Sequence, residues 1–421
     1  MRRVHTAVLA LVALLAGAAP PARAAYSESD LQTKIGREMR KAPASSGAYV
    51  RDMDTGEELY ALRENAVRIP ASVEKLFTTS TALLRLGPSA TLQTTVVVAP
   101  EAVVEPGGVL RGSLVLVGGG DPFFGDHDGS AARLARALQA AGIRRVTGSV
   151  VGDESAFDTT RAGCCRGYDT DLGGVLSALA YDRGIFRGRA RLDAGRFAAA
   201  RFAAQLEKAG VKVAGRSRAG VAPAGAKTLA AVASLPVGEL ARYINVPSNN
   251  FAAEMLFKEL GARYRDAGTT AAGADVVRDT LDDFGVRPRI VDGSGLSRRN
   301  RATPRQVVRL LERMRNQDIA TSFRGSLAVA GSTGTVKARM RGTPASGNCQ
   351  VKTGTLRGVS ALAGYCRTAG GRDIGFALMF NRANTFVAKA RENRIAAAIA
   401  RLTTPADAPP QEGGALPEVP A

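Results

Sequence analysis

The sequence predicts an α/β domain interrupted by a large strand-rich insertion. Three observations carry that expectation. Helical patterns and a hairpin open the chain, strand-like runs fill its middle, and long helices followed by three strands return towards its end. The first helix is expected at "LQTKIGREMRKA", where apolar residues recur at helical spacing. "GAYVRD" and "EELYAL" flank "MDTG", an Asp/Gly turn signal, and read as a hairpin. "RIPASVEKLFTTSTALLRLG", Arg68 to Gly87, then enters a helix with Leu76, Phe77, Leu83 and Leu84 on its apolar face.

From about Pro88 to Leu235 the texture changes. "TLQTTVVVA", "GVLRGSLVLVG" and "VTGSVVGD" are strand-like, and "SAARLARALQAAG" is a short helix with Ser130 as N-cap and Gly142 as its stop. Long helical patterns resume near Gly238. "VKTGTL", "SALAGYC" and "IGFALMF" read as strands and "FVAKARENRIAAAIARL" as an amphipathic helix. Residues 25–87 and 236–402 are therefore expected to form one domain around an inserted unit at 88–235. The Pro/Gly/Ala-rich stretch 403–421 is expected to be a disordered tail.

Residues 1–24 read as a secretory signal peptide. Arg2 and Arg3 form a basic start, "TAVLALVALLAGAA" an apolar core too short for a comfortable span, and "ARA" a small-residue cleavage site. No later segment has the apolar length to cross a bilayer. The expected protein is exported, to the periplasm or the extracellular cell-wall space, with no transmembrane anchor after cleavage. Its net charge of +19 falls to +16 without Arg2, Arg3 and Arg23. Arginine dominates, since only ten of the 57 basic residues are lysine. With no Trp and 5% aromatics there are few stacking platforms, so no nucleic-acid partner is expected. An anionic envelope polymer is the more natural neighbour.

Histidine is scarce enough to exclude chemistry. Outside the leader only His127 is left, in the Gly- and Asp-rich "GGGDPFFGDHDGS". No "GxSxG" elbow is present to pair with it, and no "HExxH" to hold zinc. No metal and no cofactor are expected. A serine hydrolase on this chain would take lysine as its base.

Four cysteines in an exported chain are disulfide candidates. A two-residue turn at Arg357–Gly358 would set Cys349 opposite Cys366, close enough to bridge. Cys164 and Cys165 are adjacent, and a vicinal bridge or free thiols are both open. A zinc site using all four thiolates is a further alternative.

Ser72 and Lys75 form a Ser-x-x-Lys pair at a helix entry. Alone, this suits an N-cap and a solvated lysine. Two further motifs change the reading. Ser248-Asn249-Asn250 lies in a turn feeding a helix, and Lys352-Thr353-Gly354-Thr355 lies on a strand. Each is uninformative alone. Together, in this order and without a usable histidine, they are similar to the signature of penicillin-binding proteins and β-lactamases.

The 176-residue interval from Ser72 to Ser248 sharpens the resemblance, since class A β-lactamases have a much shorter one. "LVLVGGGDPFF", "DGSGLSRRNRATP", "SNNFAAEML" and "STGTVKARMRGTP" are also similar to low-molecular-mass class C penicillin-binding proteins of the D-alanyl-D-alanine carboxypeptidase/endopeptidase family. Asn249 departs slightly, because Asp is frequent there. The resemblance implies a penicillin-binding-protein/β-lactamase-like domain, an antiparallel sheet with flanking helices.

It further implies Ser72 as nucleophile, Lys75 as base and Ser248 as a proton relay bridging the two lysines. Asn250 would hold the substrate's peptide group. Lys352, Thr353 and Thr355 would meet its terminal carboxylate, with Gly354 admitting it to the strand edge. The backbone N–H groups of Ser72 and Thr355 would form the oxyanion hole. The arginines after "DGSGLS" suit solvated charge, with Arg298 facing the stem peptide as the alternative. Ser332 and Lys337, in "GSTGTVK", mimic a third motif in the wrong order and read as structural, as does His127. The implied partners are peptidoglycan stem peptides, with β-lactams as covalent inhibitors. Alternatives on the same site are a β-lactamase, a transpeptidase, or a non-catalytic peptidoglycan- or β-lactam-binding protein.

Overall fold

The structure, a computed structural model, describes residues 25–162 and 169–403. The signal-peptide reading of 1–24, the alternatives for Cys164 and Cys165, and the tail expected beyond Thr403 lie outside the described residues. One six-stranded antiparallel sheet organises the outer segments. Its order is Ala328–Val329, Cys349–Leu356, Val359–Arg367, Asp373–Asn381, Gly47–Asp52, Glu58–Leu62. The two ends of the chain therefore meet in the sheet, Gly47–Asp52 lying against Asp373–Asn381.

Both faces of this sheet are covered, which explains the nearly unbroken apolar run "VSALAGYC". Successive side chains on a strand point to opposite faces. Ala361, Ala363 and Tyr365 join Leu76, Phe77, Leu256, Phe257 and Leu311 in one core. Leu362 and Cys366 join Ile35, Met39, Ile395 and Ile399 in the other. The second face is supplied by the terminal helices Glu28–Arg40 and Thr385–Arg401. The first of these begins at Ser27, whose hydroxyl caps the Asp30 N–H while the Asp30 carboxylate returns to the Ser27 N–H.

Cys349 and Cys366 are direct partners in the ladder and are joined by a disulfide, with Cα atoms 4.1 Å apart. That bridge removes two thiols and overturns the four-thiolate zinc alternative.

Residues between Gln93 and Ala233 build sheets of their own. A five-stranded sheet runs Arg218–Ala219, Val150–Asp153, Leu114–Val117, Gln93–Val98, Lys227–Ala233, with the first three strands mutually parallel. The helices Ser130–Ala140 and Ala194–Lys208 pack on it through Leu134, Leu138, Phe202 and Leu206. Ser130 is the first residue of its helix rather than the N-cap; Gly129, in the left-handed region at φ 72°, takes that place. The Ser130 hydroxyl instead accepts from the Gly125 N–H at 2.9 Å and donates to Asp128. This unit meets the helix Asn250–Arg265 through Phe157, Leu172 and Leu176 against Phe251 and Met255. The fully buried Lys258 ammonium pairs with Asp158 across the same junction.

Arg372 ties the ends of the chain together. Its guanidinium is 2% exposed and is bonded to Asp52, which is fully buried, and to Glu28. Replacing Arg372 by Leu strands a buried carboxylate, and breaking such a pair costs about 3–5 kcal/mol. Urea unfolding of Arg372→Leu should show a loss of that size. A loss below about 1 kcal/mol would place the pair with weak, screened surface contacts.

Candidate active site

The three motifs converge at the edge of the six-stranded sheet. Ser72 lies in a 3₁₀ turn, Ala71–Glu74, that leads into the α-helix Lys75–Leu86. No side-chain cap bond forms at this entry, so the N-cap reading of Ser72 fails. In a 3₁₀ turn residues i and i+3 eclipse, which brings Lys75 over Ser72. The Lys75 ammonium lies 3.0 Å from the Ser72 Oγ.

The turn is held in an unusual backbone state. Ala71, just before Ser72, has φ 48°, a region that non-glycine residues rarely enter. Two glycines make room for it. A Cβ on Gly295 would stand 2.1 Å from the Ala71 carbonyl oxygen, and one on Gly354 would stand 2.5 Å from that of Pro70. On the near side, the Asn381 amide accepts from the Ile69 N–H at 2.9 Å and donates to the Ile69 carbonyl at 3.1 Å. The same approach lays the Lys352–Thr355 strand against the Ser72 amide; a Gly354 Cβ would be 3.2 Å from that nitrogen.

Lys75 is fully buried. Besides Ser72 it donates to the Asn250 Oδ1 at 2.7 Å and to the Ser294 carbonyl. Asn250 in turn donates to the Asp171 carbonyl at 2.7 Å, linking the site to the inserted unit. Its amide oxygen thus meets the base and its amide nitrogen the inserted unit. Ser248, with φ 62°, stands beside the helix that Asn249 caps. Its hydroxyl accepts from Lys352 at 2.8 Å. Among the described residues Ser248 is hydrogen-bonded to Lys352 and not to Lys75, so the expected bridge between the lysines is half made.

Lys352 has no exposed surface, and its other bond is to the Thr353 carbonyl at 2.8 Å. Thr355 is exposed on the same strand, and the Thr353 hydroxyl donates to that of Thr335 at 2.8 Å. Thr335 was not among the expected site residues. Its segment, "STGTVK", has the wrong order for the third motif, and folding brings its hydroxyl to the third-motif strand. Arg298 is exposed and donates to the Arg357 carbonyl at 3.1 Å, in the turn beyond Thr355. His127 is in the inserted unit, exposed, with Nδ1 2.7 Å from Asp182, whose carboxylate holds the imidazole above its usual range.

The electrostatics follow from burial. Removing an ammonium from water disfavours its charge. Burial lowers Lys75 to about 8, against the opposing pull of the Glu74, Asp292 and Glu254 carboxylates. Burial, then the nearby Lys75, hold Lys352 well below the ordinary lysine range. The surrounding carboxyls are pushed the other way. Glu74 is raised well above its normal value by burial and by Asp292 and Glu254. Glu254 is raised to about 7, chiefly by burial and then by Asp292. Glu254 also accepts from the Ser294 N–H at 2.8 Å, fixing the carbonyl that Lys75 uses. These carboxyls were not anticipated, because they come from three separate segments.

A serine oxygen beside a buried amine, with the strand that ends at exposed Thr355 laid against its own amide, can perform acyl transfer without histidine or metal. Comparison with known proteins agrees. The D-Ala-D-Ala carboxypeptidase 3 (S13) family matches residues 31–173 and 169–402. A D-alanyl-D-alanine carboxypeptidase of an Actinomadura species is 31% identical over 424 residues, covering 80% of this chain and 78% of the relative. In fold, the chain is similar to penicillin-binding protein 4 of Haemophilus influenzae (TM-score 0.74, 22% identity, 85% of this chain and 98% of that one). It is also similar to a predatory peptidoglycan endopeptidase of Bdellovibrio bacteriovorus (TM-score 0.52, 18% identity, 79% and 85%).

If Lys75 is the base, only its neutral form works. The rate of acylation by a chromogenic β-lactam should then rise with pH through about 8 and level above it. Glu254, near 7, titrates in the same window and broadens the rise. A stopped-flow profile that is flat between about pH 6 and 9 would contradict this assignment.

Proposed function

The chain belongs to the D-Ala-D-Ala carboxypeptidase 3 (S13) family, and we propose that Ser72 and Lys75 are the nucleophile and base with which it works as a serine-type D-Ala-D-Ala carboxypeptidase. The observation that carries this reading is the 3.0 Å contact between a fully buried lysine and a serine oxygen. The Ser72 Oγ attacks the carbonyl of the penultimate D-Ala in a peptidoglycan stem, and neutral Lys75 takes its proton. The oxyanion falls to the N–H groups of Ser72 and Thr355. Collapse breaks the C–N bond, and the leaving D-Ala amine receives, through Ser248, the proton that Lys75 took, which returns Lys75 to its neutral form. Water, deprotonated by the same base, then frees the acyl group from Ser72.

Each supporting group has a distinct task. Lys352 is buried behind Ser248 and orients that hydroxyl through their 2.8 Å contact. The terminal carboxylate is assigned to the hydroxyls of Thr355, Thr353 and Thr335. Gly354 keeps the strand edge open to an extended peptide. Asn250 positions Lys75, and Arg298 faces the stem peptide further out. When the leaving amine belongs to a second stem, the same steps cleave a cross-link, which is endopeptidase activity. A β-lactam carbonyl entering the site acylates Ser72 in the same way. The residues from Pro88 to Leu235 are proposed as an accessory domain, and export to the periplasm or the extracellular wall space follows from the substrate.

Digestion of purified muropeptides, monomeric and cross-linked, tests the reading by mass analysis. Monomeric pentapeptides should lose one D-Ala, and cross-linked dimers should yield monomers. Lys75→Arg keeps the charge but cannot give up a proton, so its rate should fall by about 10²–10⁴. Unchanged pentapeptide with the wild-type chain, or full activity in Lys75→Arg, would reject the assignment.

A further inference from the structure

Beside Arg68 and Ile69, on the approach to the Ser72 turn, lies a cleft of about 480 Å³. Five arginines line it: Arg63, Arg68, Arg298, Arg301 and Arg382. None of the five forms a salt bridge among the described residues. A second cavity, beside Tyr49, holds four arginines; there Arg51 pairs with Glu312 and Arg305 with Glu58 and Glu64, while Arg309 and Arg313 form no salt bridge among the described residues.

Arg68 shows that the positive charge is built in. It is 4% exposed and donates to four backbone carbonyls, those of Ser45, Ser46, Arg63 and Ala66. Gly47 makes space for it, since a Cβ there would lie 2.6 Å from the guanidinium carbon. These bonds tie two loops together and satisfy its donors, but carbonyls do not neutralise a cation. Burial lowers the Arg68 pKa, and the Arg63 charge lowers it further. Glu64 is the carboxylate acting on it, and Glu64 is shared with Arg305. Arg63 and Arg382 are exposed at the rim. Both have positive φ, 48° and 52°.

We propose that this cleft is a binding site for a multiply charged phosphate group, separate from the acyl-transfer centre and meeting it at Arg298. Guanidinium forks match phosphate oxygens bidentately. Several guanidiniums in one cavity favour a ligand carrying more than one negative charge in a small volume. The phosphate could come from a free ion or from a phosphodiester polymer of the cell envelope, and the recognition chemistry is the same.

Calorimetry on the full chain without its leader tests this with three probes: pyrophosphate, a short glycerol-phosphate oligomer, and oligoglutamate of matched charge. Saturable binding of either phosphate probe supports the site, and which of them binds identifies the source. Arg63→Asn and Arg382→Asn together should weaken that binding at least about tenfold. Asparagine tolerates both backbone conformations. A control pair in the Tyr49 cavity, Arg309→Gln with Arg313→Gln, removes the same charge and should change binding less than about twofold. Penicillin acylation, measured on every sample, reports folding and tests the Ser72 reading separately. No saturable phosphate binding, equal affinity for oligoglutamate, or equal losses in the two double variants would overturn the proposal.

Discussion

A lysine amine taken wholly out of water is the constraint on which the site depends. Lys75 has no exposed surface, and its three acceptors are Ser72, three residues earlier, and, from distant segments, Asn250 and the Ser294 carbonyl. Losing hydration makes the charge expensive and brings the amine to about 8. The same burial raises Glu74 and Glu254. An ordinary lysine with ionised neighbours would stay protonated at neutral pH. Desolvation of the whole cluster makes a proton acceptor available there.

Geometry follows from the same requirement. A buried amine can reach a serine one turn earlier only if the backbone between them is tight, and the 3₁₀ turn provides that. The turn needs Ala71 at positive φ, and its neighbours Gly295 and Gly354 come close enough to hold it there. Gly354 belongs to the strand offered to the substrate, and Gly295 to the loop that presents the Ser294 carbonyl. One packing arrangement thus positions nucleophile, base and strand edge.

Local signals were legible and tertiary ones were not. The hairpin from Cys349 to Cys366 could be read from its two-residue turn, because ladder register follows from turn length. The separate sheets between Gln93 and Ala233 showed as a change from helical to strand spacing and back. The Ser72, Ser248 and Lys352 motifs were readable because each is short and contiguous. The carboxyls of Glu74, Glu254 and Asp292 had no shared sequence pattern, since only folding brings them together. Ala71 has no composition signal for positive φ. Only folding brings the Thr335 hydroxyl to Thr353. The full burial of Lys352 behind Ser248 has no local sequence signal either.

The central claim is that a serine activated by a buried lysine forms an acyl-enzyme. Intact-mass spectrometry after incubation with penicillin tests it most directly. Wild-type protein should gain the mass of one penicillin, localised by peptide mapping to Ser72, and Ser72→Ala should gain none. No adduct on the wild-type chain, or the same adduct on Ser72→Ala, would contradict the account.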